Sequence, residues 1–129
     1  METSKRILII DDEPDILEFL SYNFRKKGFI VTVAENGLDG LVKLNMQRPD
    51  IIVSDILMPE MDGIEMCRKV KENPNLKHIP VIFLTAVSDD YKVLYAMTSG
   101  ADQFASKPIR FEYLLNMVNG MLEKDTVAH

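Results

Sequence analysis

Residues Asp50–Asp55 read DIIVSD, so a carboxylate follows directly after a continuous apolar run. A run without polar alternation is typical of a strand that is buried on both faces of a parallel sheet. Desolvating a carboxylate at the end of such a strand costs several kcal/mol unless a partner compensates the charge. Residues Ile7–Glu13 read ILIIDDE and repeat the arrangement earlier in the chain. Two predicted strands that each end in acidic residues, here called acid-tipped, indicate a site that attracts a cation.

The composition predicts one globular domain without a nucleic-acid-binding surface. The chain has 129 residues, 47% of them hydrophobic, and a formal net charge of -5. This length suffices for one hydrophobic core but not for two. The basic residues form only short groups, at Lys5-Arg6 and Arg25-Lys26-Lys27, beside apolar segments. We therefore expect no direct binding of nucleic acid by this chain.

The patterns of cysteine, histidine and hydropathy argue against several other classes of protein. Cys67 is the only cysteine, and His78 and His129 are far apart, so neither a disulfide framework nor a zinc site is expected. No apolar stretch approaches the ~20 residues that cross a bilayer. Residues Met1–Arg6 lead into too few apolar residues for a signal peptide. We expect a cytoplasmic protein without membrane association.

Apolar strand runs alternate with segments of helical period along the chain. The predicted strands cover residues 7–10, 29–33, 50–54, 80–84 and 103–106. The helical segments begin near Pro14, Leu38, Asp62, Ser88 and Phe111, and end near Gly28, Pro49, Asn73, Gly100 and Met121. Asp62 is of a type that caps helices. Five alternations predict an α/β fold, a doubly wound parallel sheet with helices on both faces.

Polar residues that a hydrophobic core does not explain gather at the carboxyl ends of the predicted strands, where open α/β sheets place their binding sites. They are Asp11-Asp12-Glu13, Asp55, Thr85 and Lys107. A small set of carboxylates suits Mg²⁺, which also keeps bound water. A carboxylate can also be the nucleophile that forms an aspartyl-phosphate. Lys107 and Thr85 would then supply a cation and a hydroxyl donor to the phosphoryl oxygens.

Each of these residues also has a purely structural interpretation. Acids such as Asp11 and Asp12 stabilise a following helix N-terminus, and Thr85 is of a type that caps helices. Lys107 before a proline is typical of an exposed turn, and Asp55 taken alone could begin a turn. Only their joint occurrence at four strand ends favours the functional interpretation.

Four stretches, in this order, resemble the receiver domain of two-component response regulators. They are Ile9–Pro14, Asp55–Gly63, Pro80–Ala86 and Gly100–Pro108, and the likeness runs from Arg6 to about Leu122. The resemblance implies a five-stranded, flavodoxin-like sheet of order 2-1-3-4-5 with five helices. It also implies that residues 1–129 form a single receiver domain, with no output domain in this chain.

The resemblance implies that Asp55 accepts a phosphoryl group from a sensor histidine kinase in a Mg²⁺-dependent reaction. Asp12, Asp55 and the backbone carbonyl of Leu57 would bind Mg²⁺ directly, and Asp11 mostly through water. Lys107 would pair with the phosphoryl group, and the peptide bond that follows it would be cis. Such a receiver is a signalling domain that assists its own phosphorylation and dephosphorylation, not an enzyme.

Thr85 and Phe104 occupy the positions of the family's conformational switch. Thr85 would move toward the phosphoryl group and Phe104 would turn inward behind it, which would alter the face made by the fourth helix, fifth strand and fifth helix. A core phenylalanine is the simpler interpretation of Phe104. The implied partners are a sensor histidine kinase or phosphotransfer protein and a downstream protein or fused output domain. Homodimerisation stays open.

Two alternatives to a working receiver follow from the same residues. Haloacid-dehalogenase-like phosphohydrolases also form an aspartyl-phosphate, but they carry Asp-x-Asp-x-Thr after the first strand, where Asp11–Asp15 read DDEPD. A degenerate receiver would bind partners without phosphate, but it would normally lack the acceptor, the acidic pair or the lysine. Leu57 and Val87, where the family tunes hydrolysis of the acyl phosphate, are apolar and predict a long-lived phosphorylated state.

Overall fold

Strands and helices alternate along the chain. The computed structural model describes residues 4–56, 58, 61–86 and 96–127, without the side chains of 124–127. The strands are β1 (Arg6–Ile10), β2 (Ile30–Ala34), β3 (Ile51–Asp55), β4 (Val81–Thr85) and β5 (Gln103–Ser106). The helices within these residues are α1 (Pro14–Lys26), α2 (Gly37–Met46), α3 (Gly63–Glu72) and the C-terminal helix (Phe111–Val127). Over these ranges, no helix combines the length and the apolar character that a membrane span requires.

The five strands form one parallel sheet in the order β2-β1-β3-β4-β5, which confirms the predicted flavodoxin-like order. On one face, Leu8 and Ile52 belong to a buried cluster with residues of α2 and α3. On the other face, Ile9 and Val53 pack with residues of α1 and the C-terminal helix. The strand order reverses between β1 and β3, so the carboxyl ends of these strands flank the crevice that binds ligands in open α/β sheets.

Three strands begin one residue later than predicted, because membership of the ladder depends on backbone hydrogen bonds and not on the type of side chain. Phe29, Asp50 and Pro80, the predicted first residues, precede β2, β3 and β4. The backbone N–H of Phe29 donates to the carbonyl of Phe24 at 3.1 Å and so completes the end of α1. Proline has no N–H to donate to a neighbouring strand.

The same three strands also end one residue later than predicted, and two of their last residues are candidate site residues. Asp55 ends β3 and is paired with Leu84, and Thr85 ends β4 and is paired with Ser106. The apolar run stops before these residues, but the parallel pairing continues through them. The predicted site therefore lies partly on the sheet itself and not only on the loops beyond it.

Residues next to both ends of β5 form hydrogen bonds with β4. At its start, the N–H of Asp102 donates to the carbonyl of Val81 at 2.9 Å, and the N–H of Val81 donates to Asp102 Oδ2 at 2.8 Å. Lys71 Nζ lies 3.0 Å from the same carboxylate oxygen. Beyond its end, the N–H of Lys107 donates to the carbonyl of Thr85 at 2.7 Å.

The start of α3 agrees with its predicted capping residue. Asp62 caps α3 as predicted, because its Oδ1 accepts a hydrogen bond from the N–H of Glu65 at 2.9 Å. The predicted fourth helix, Ser88–Gly100, falls largely on residues 87–95, which lie outside the described residues. Residues 96–97 are helical. The described residues therefore contain four of the five predicted helices.

Candidate functional site

Three carboxylates meet at the carboxyl ends of β1 and β3. Asp11, Asp12 and Asp55 each offer an oxygen atom, and these atoms all lie within 4.8 Å of one another. Asp11 and Asp12 directly follow β1, and the neighbouring strand β3 ends with Asp55. The sheet thus brings together residues that are more than forty positions apart in the sequence. This arrangement is the one that the two acid-tipped runs predicted.

Asp11 is buried with only part of its carboxylate satisfied. Its side chain is 0% exposed, and Oδ1 accepts a hydrogen bond from the N–H of Glu13 at 2.8 Å. Oδ2 is buried without a hydrogen-bond partner among the described residues. Burial raises the pKa of Asp11 to about 6, although the Glu13 N–H and the nearby Lys107 favour the charged form. A buried carboxylate oxygen that accepts no hydrogen bond is a position where a cation or its water can bind.

Asp55 is also buried and keeps one oxygen close to a positive charge. It is 8% exposed, and its Oδ1 accepts a hydrogen bond from the N–H of Ile56 at 2.8 Å. Its Oδ2 lies 3.4 Å from Lys107 Nζ. Burial raises the pKa of Asp55, while Lys107 and the Ile56 N–H partly oppose that rise by favouring the charged form.

Lys107 is placed against two carboxylates. Its Nζ lies 3.4 Å from Asp55 Oδ2 and 3.6 Å from Asp11 Oδ2, and its side chain is 19% exposed. Burial opposes the charge on this lysine, but Asp55 and Asp11 outweigh burial and raise the pKa of Lys107. The peptide bond that follows Lys107 is cis, as the resemblance implied. The structure therefore does not support the interpretation of Lys107 as an ordinary exposed turn residue.

Thr85 and Phe104 lie on the two strands beside this site. Thr85 is buried at the end of β4, one residue beyond Leu84, the partner of Asp55 in the sheet. Phe104 is half-buried, and its ring centroid lies 6.0 Å from that of Phe83 on the adjacent strand. The position of Phe104 fits both a core role and a switch role. Leu57, the fourth predicted metal ligand, lies outside the described residues.

The sequence analysis missed the close packing of the start of α3 against the end of β3, beside Asp55. The N–H of Gly63 donates to the carbonyl of Ile56 at 2.7 Å, which draws the start of α3 against the end of β3. A Cβ at position 63 would overlap the carbonyl oxygen of Asp55 and would come within 2.9 Å of the Phe83 ring. Position 63 therefore requires glycine. The Asp62-Gly63 pair that follows the acid-tipped strand was the signal in the sequence.

Comparison with known proteins identifies the family. The family model described as "Response regulator receiver domain" matches residues 7–119. The alkaline phosphatase synthesis transcriptional regulatory protein PhoP of Bacillus subtilis is 31% identical over 125 residues, which cover 97% of this chain and 51% of that protein. The chain spans about half the length of several such curated relatives, with coverage between 46% and 51% in three of them.

Solved structures show the same likeness. The signal receiver domain of a signal transduction histidine kinase from Syntrophus aciditrophicus is 39% identical, with a TM-score of 0.88, and the match covers 94% of this chain and 92% of that one. A CheY-like response regulator receiver domain protein from Methanospirillum hungatei is 25% identical, with a TM-score of 0.91, and the match covers 98% and 100%. The chain therefore belongs to the response regulator receiver domains, the signalling domains of two-component systems that sensor kinases phosphorylate on an aspartate.

Proposed function

We propose that Asp55 is the phosphoryl acceptor and that Lys107 and Thr85 assist the transfer. The observation that carries this proposal is the position of Lys107 Nζ, 3.4 Å from Asp55 and 3.6 Å from Asp11. An anion that attacks an anionic phosphoryl group needs positive charge at the transferred oxygens. Lys107 is the cation in place for that task, and the hydroxyl of Thr85 is a neutral donor on the neighbouring strand.

The transfer itself is a displacement at phosphorus. A carboxylate oxygen of Asp55 forms the new bond to phosphorus, and the bond between phosphorus and the donor histidine nitrogen breaks. The electron pair of that bond returns to the imidazole, which leaves. The donor is a sensor histidine kinase or a phosphotransfer protein. Burial raises the pKa of Asp55, and the positive charge of Lys107 opposes that rise by favouring the ionised carboxylate that attacks.

Receiver domains bind Mg²⁺ at an acidic pocket, and the residues of this chain fit that ion. Mg²⁺ takes oxygen ligands and retains water, so a few carboxylates suffice. We assign direct contacts to Asp12, Asp55 and the carbonyl of Leu57, and a contact through water to Asp11. Asp11 Oδ2, which is buried and accepts no hydrogen bond from the described residues, supports this assignment. When bound, the ion would neutralise negative charge on the phosphoryl oxygens.

The output is a change of the face formed by the predicted fourth helix, β5 and the C-terminal helix. Thr85 would move toward the phosphoryl group and Phe104 would turn inward, which shifts the chain between two conformations. The chain would act as a single cytoplasmic receiver domain that assists its own phosphorylation and dephosphorylation. It would control a downstream protein or a fused output domain. It would not contact nucleic acid or membrane itself. Homodimerisation through the same face is also compatible with this proposal.

Phosphorylation by a small donor tests the assignment. The wild-type chain and Asp55→Asn are incubated with Mg²⁺ and acetyl phosphate, and their intact masses are measured. We expect the wild type to gain the mass of one phosphoryl group and the variant to gain none. Asp50→Asn, which changes an acid near the opposite end of the same strand, serves as the matched control. An unmodified wild type, or an Asp55→Asn variant that is labelled equally, would refute the role of Asp55.

A further inference from the structure

The sheet has a free edge at β2 whose sequence favours strand pairing. Residues Phe29–Ala34 read FIVTVA, a segment rich in β-branched side chains and without charge, proline or glycine. Such segments of six residues are prone to pair with identical segments of other molecules. Within the part of the chain that the structure describes, β2 pairs only with β1, so its other side faces away from the sheet. An unprotected edge of this composition would be a template for a second copy of the chain.

The hydrogen bonds of β2 show which of its residues face outward. The N–H of Ile30 donates to Lys5 O at 2.9 Å, and the carbonyl of Ala34 accepts from the N–H of Asp11 at 3.1 Å, so both residues bond toward β1. Backbone groups of alternate residues point to opposite sides of a strand. The N–H and carbonyl groups of Val31 and Val33 therefore face the free edge, where an added strand would bind.

Two cationic side chains occupy the outward carbonyl groups, and they come from opposite faces of the sheet. Lys43 Nζ on α2 donates to the carbonyl of Val33 at 2.7 Å. Arg25 Nη2 on α1 donates to the carbonyl of Val31 at 3.4 Å. A strand that approached this edge would have to displace both side chains. Lysine beside an edge strand is a known means of preventing edge-to-edge pairing.

Asp39 occupies a further outward backbone group, just beyond the end of β2. Its Oδ2 lies 3.3 Å from Lys43 Nζ and accepts a hydrogen bond from the outward N–H of Glu35 at 3.2 Å. Asp39 is itself held by Asn36, whose side chain caps α2 by accepting from the N–H of Asp39 at 2.8 Å. The carboxylate thus orients Lys43 and also occupies a backbone donor of the residue that follows β2.

We propose that Arg25, Asp39 and Lys43 form a guard that closes the β2 edge against strand addition by a second copy of this chain. An edge-to-edge pair would displace Arg25 and Lys43 from these carbonyl groups and would remove their charges from water, which is costly without new partners. Ion pairs that are partly exposed, such as Lys43–Asp39, contribute little to the stability of a monomer. We therefore expect the guard to act mainly on association.

The double variant Arg25→Met/Lys43→Met tests the proposal, because methionine keeps much of the aliphatic side chain but donates no hydrogen bond. Lys69→Met/Lys77→Met is the matched control, since it removes the same charge from exposed positions remote from β2. Sedimentation of each protein over a range of concentrations measures self-association. We expect the dissociation constant for self-association of the guard variant to be at least about tenfold lower than that of the control. Equal self-association of the two variants would overturn the proposal.

Residue-resolved hydrogen exchange identifies the surface that pairs. In the associated guard variant we expect slower exchange of the Val31 and Val33 amides, because pairing places them in a new ladder. Association that leaves both amides exchanging as fast as in the control would also overturn the proposal. If the double variant does not fold, as judged by circular dichroism, Lys43→Met is compared with Lys69→Met by the same two measurements. Lys43→Arg should restore the wild-type behaviour, because arginine can still donate to Val33.

Discussion

The ammonium group of Lys107 lies 3.4 Å from the carboxylate of Asp55. Replacing Lys107 by methionine removes this charge while keeping a long side chain. We expect phosphoryl uptake from acetyl phosphate with Mg²⁺ to slow by ~10²–10³-fold, the range found when one electrostatic donor is removed from an active site. The time course of intact mass measures the rate. Lys69→Met is the control, and an uptake rate in Lys107→Met equal to that of the control would exclude the proposed role.

Magnesium should stabilise the folded chain through the three carboxylates. A ligand present at about 100 times its dissociation constant raises the free energy of unfolding by about 2.7 kcal/mol. We expect Mg²⁺ to raise the melting temperature of the wild type near neutral pH. The rise should be much smaller in Asp12→Asn, which removes the negative charge of one of the three clustered carboxylates. Sodium chloride of equal ionic strength controls for screening, and equal shifts in both proteins would argue against the site.

Asp11 should make the free energy of unfolding depend on pH. Burial raises its pKa from 3.8 to about 6, so the folded state binds this proton more tightly than the unfolded state does. Without Mg²⁺, proton binding by Asp11 therefore stabilises the folded state below about pH 4. This stabilisation is lost as pH rises from about 4 to about 6, and it is absent above that range. The full difference is on the order of 3 kcal/mol.

Urea unfolding of Asp11→Asn without Mg²⁺ measures this effect. The amide oxygen of asparagine can still accept the hydrogen bond from the Glu13 N–H, but it carries no charge to desolvate. We expect the variant to be more stable than the wild type at about pH 7, by on the order of 1–3 kcal/mol, and to lose that advantage at about pH 4. A stability difference that does not change with pH would contradict the assignment.

Gly63 and Gly120 should respond to alanine in opposite directions. A Cβ at Gly63 would overlap the carbonyl oxygen of Asp55 and crowd Phe83, whereas a Cβ at Gly120 in the C-terminal helix meets nothing within 4 Å. We expect Gly63→Ala to destabilise the chain by about 1–3 kcal/mol. We expect Gly120→Ala to stabilise it by about 0.4–1 kcal/mol, because alanine loses less conformational entropy. Chemical unfolding measures both, and a neutral Gly63→Ala would show that this packing relaxes.

The phosphorylated state should be long-lived. Leu57 and Val87 are apolar, so neither side chain can orient a water molecule toward the acyl phosphate. We expect the phosphoryl group to persist for minutes or longer after the donor is removed, as followed by intact mass. Replacing Leu57 by glutamine, which can orient water, should shorten this lifetime, whereas Leu57→Met should not. Decay of the wild type within seconds would exclude this prediction.

The order of the elements and the members of the site were predictable because both depend on local patterns. Apolar runs followed by Asp11 and by Asp55 marked strand ends, and parallel strands bring such ends to one edge of the sheet. The strand order itself came from the resemblance and not from periodicity. The exact ends of the strands were not predictable from hydropathy, because Asp55 and Thr85 continue the ladder although they are polar. The contact of Lys43 with Val33 depends on tertiary geometry that no local pattern records.

The hydrogen bonds at the two ends of β5 limit how the site can respond to phosphate. A slip of β5 along β4 by one residue would break the Asp102–Val81 and Lys107–Thr85 hydrogen bonds together, and it would turn Phe104 to the opposite face of the sheet. These hydrogen bonds fix the backbone of Lys107 relative to Thr85 at the end of β4. A response that keeps them can still move the Lys107 ammonium, because that group is carried on a flexible side chain.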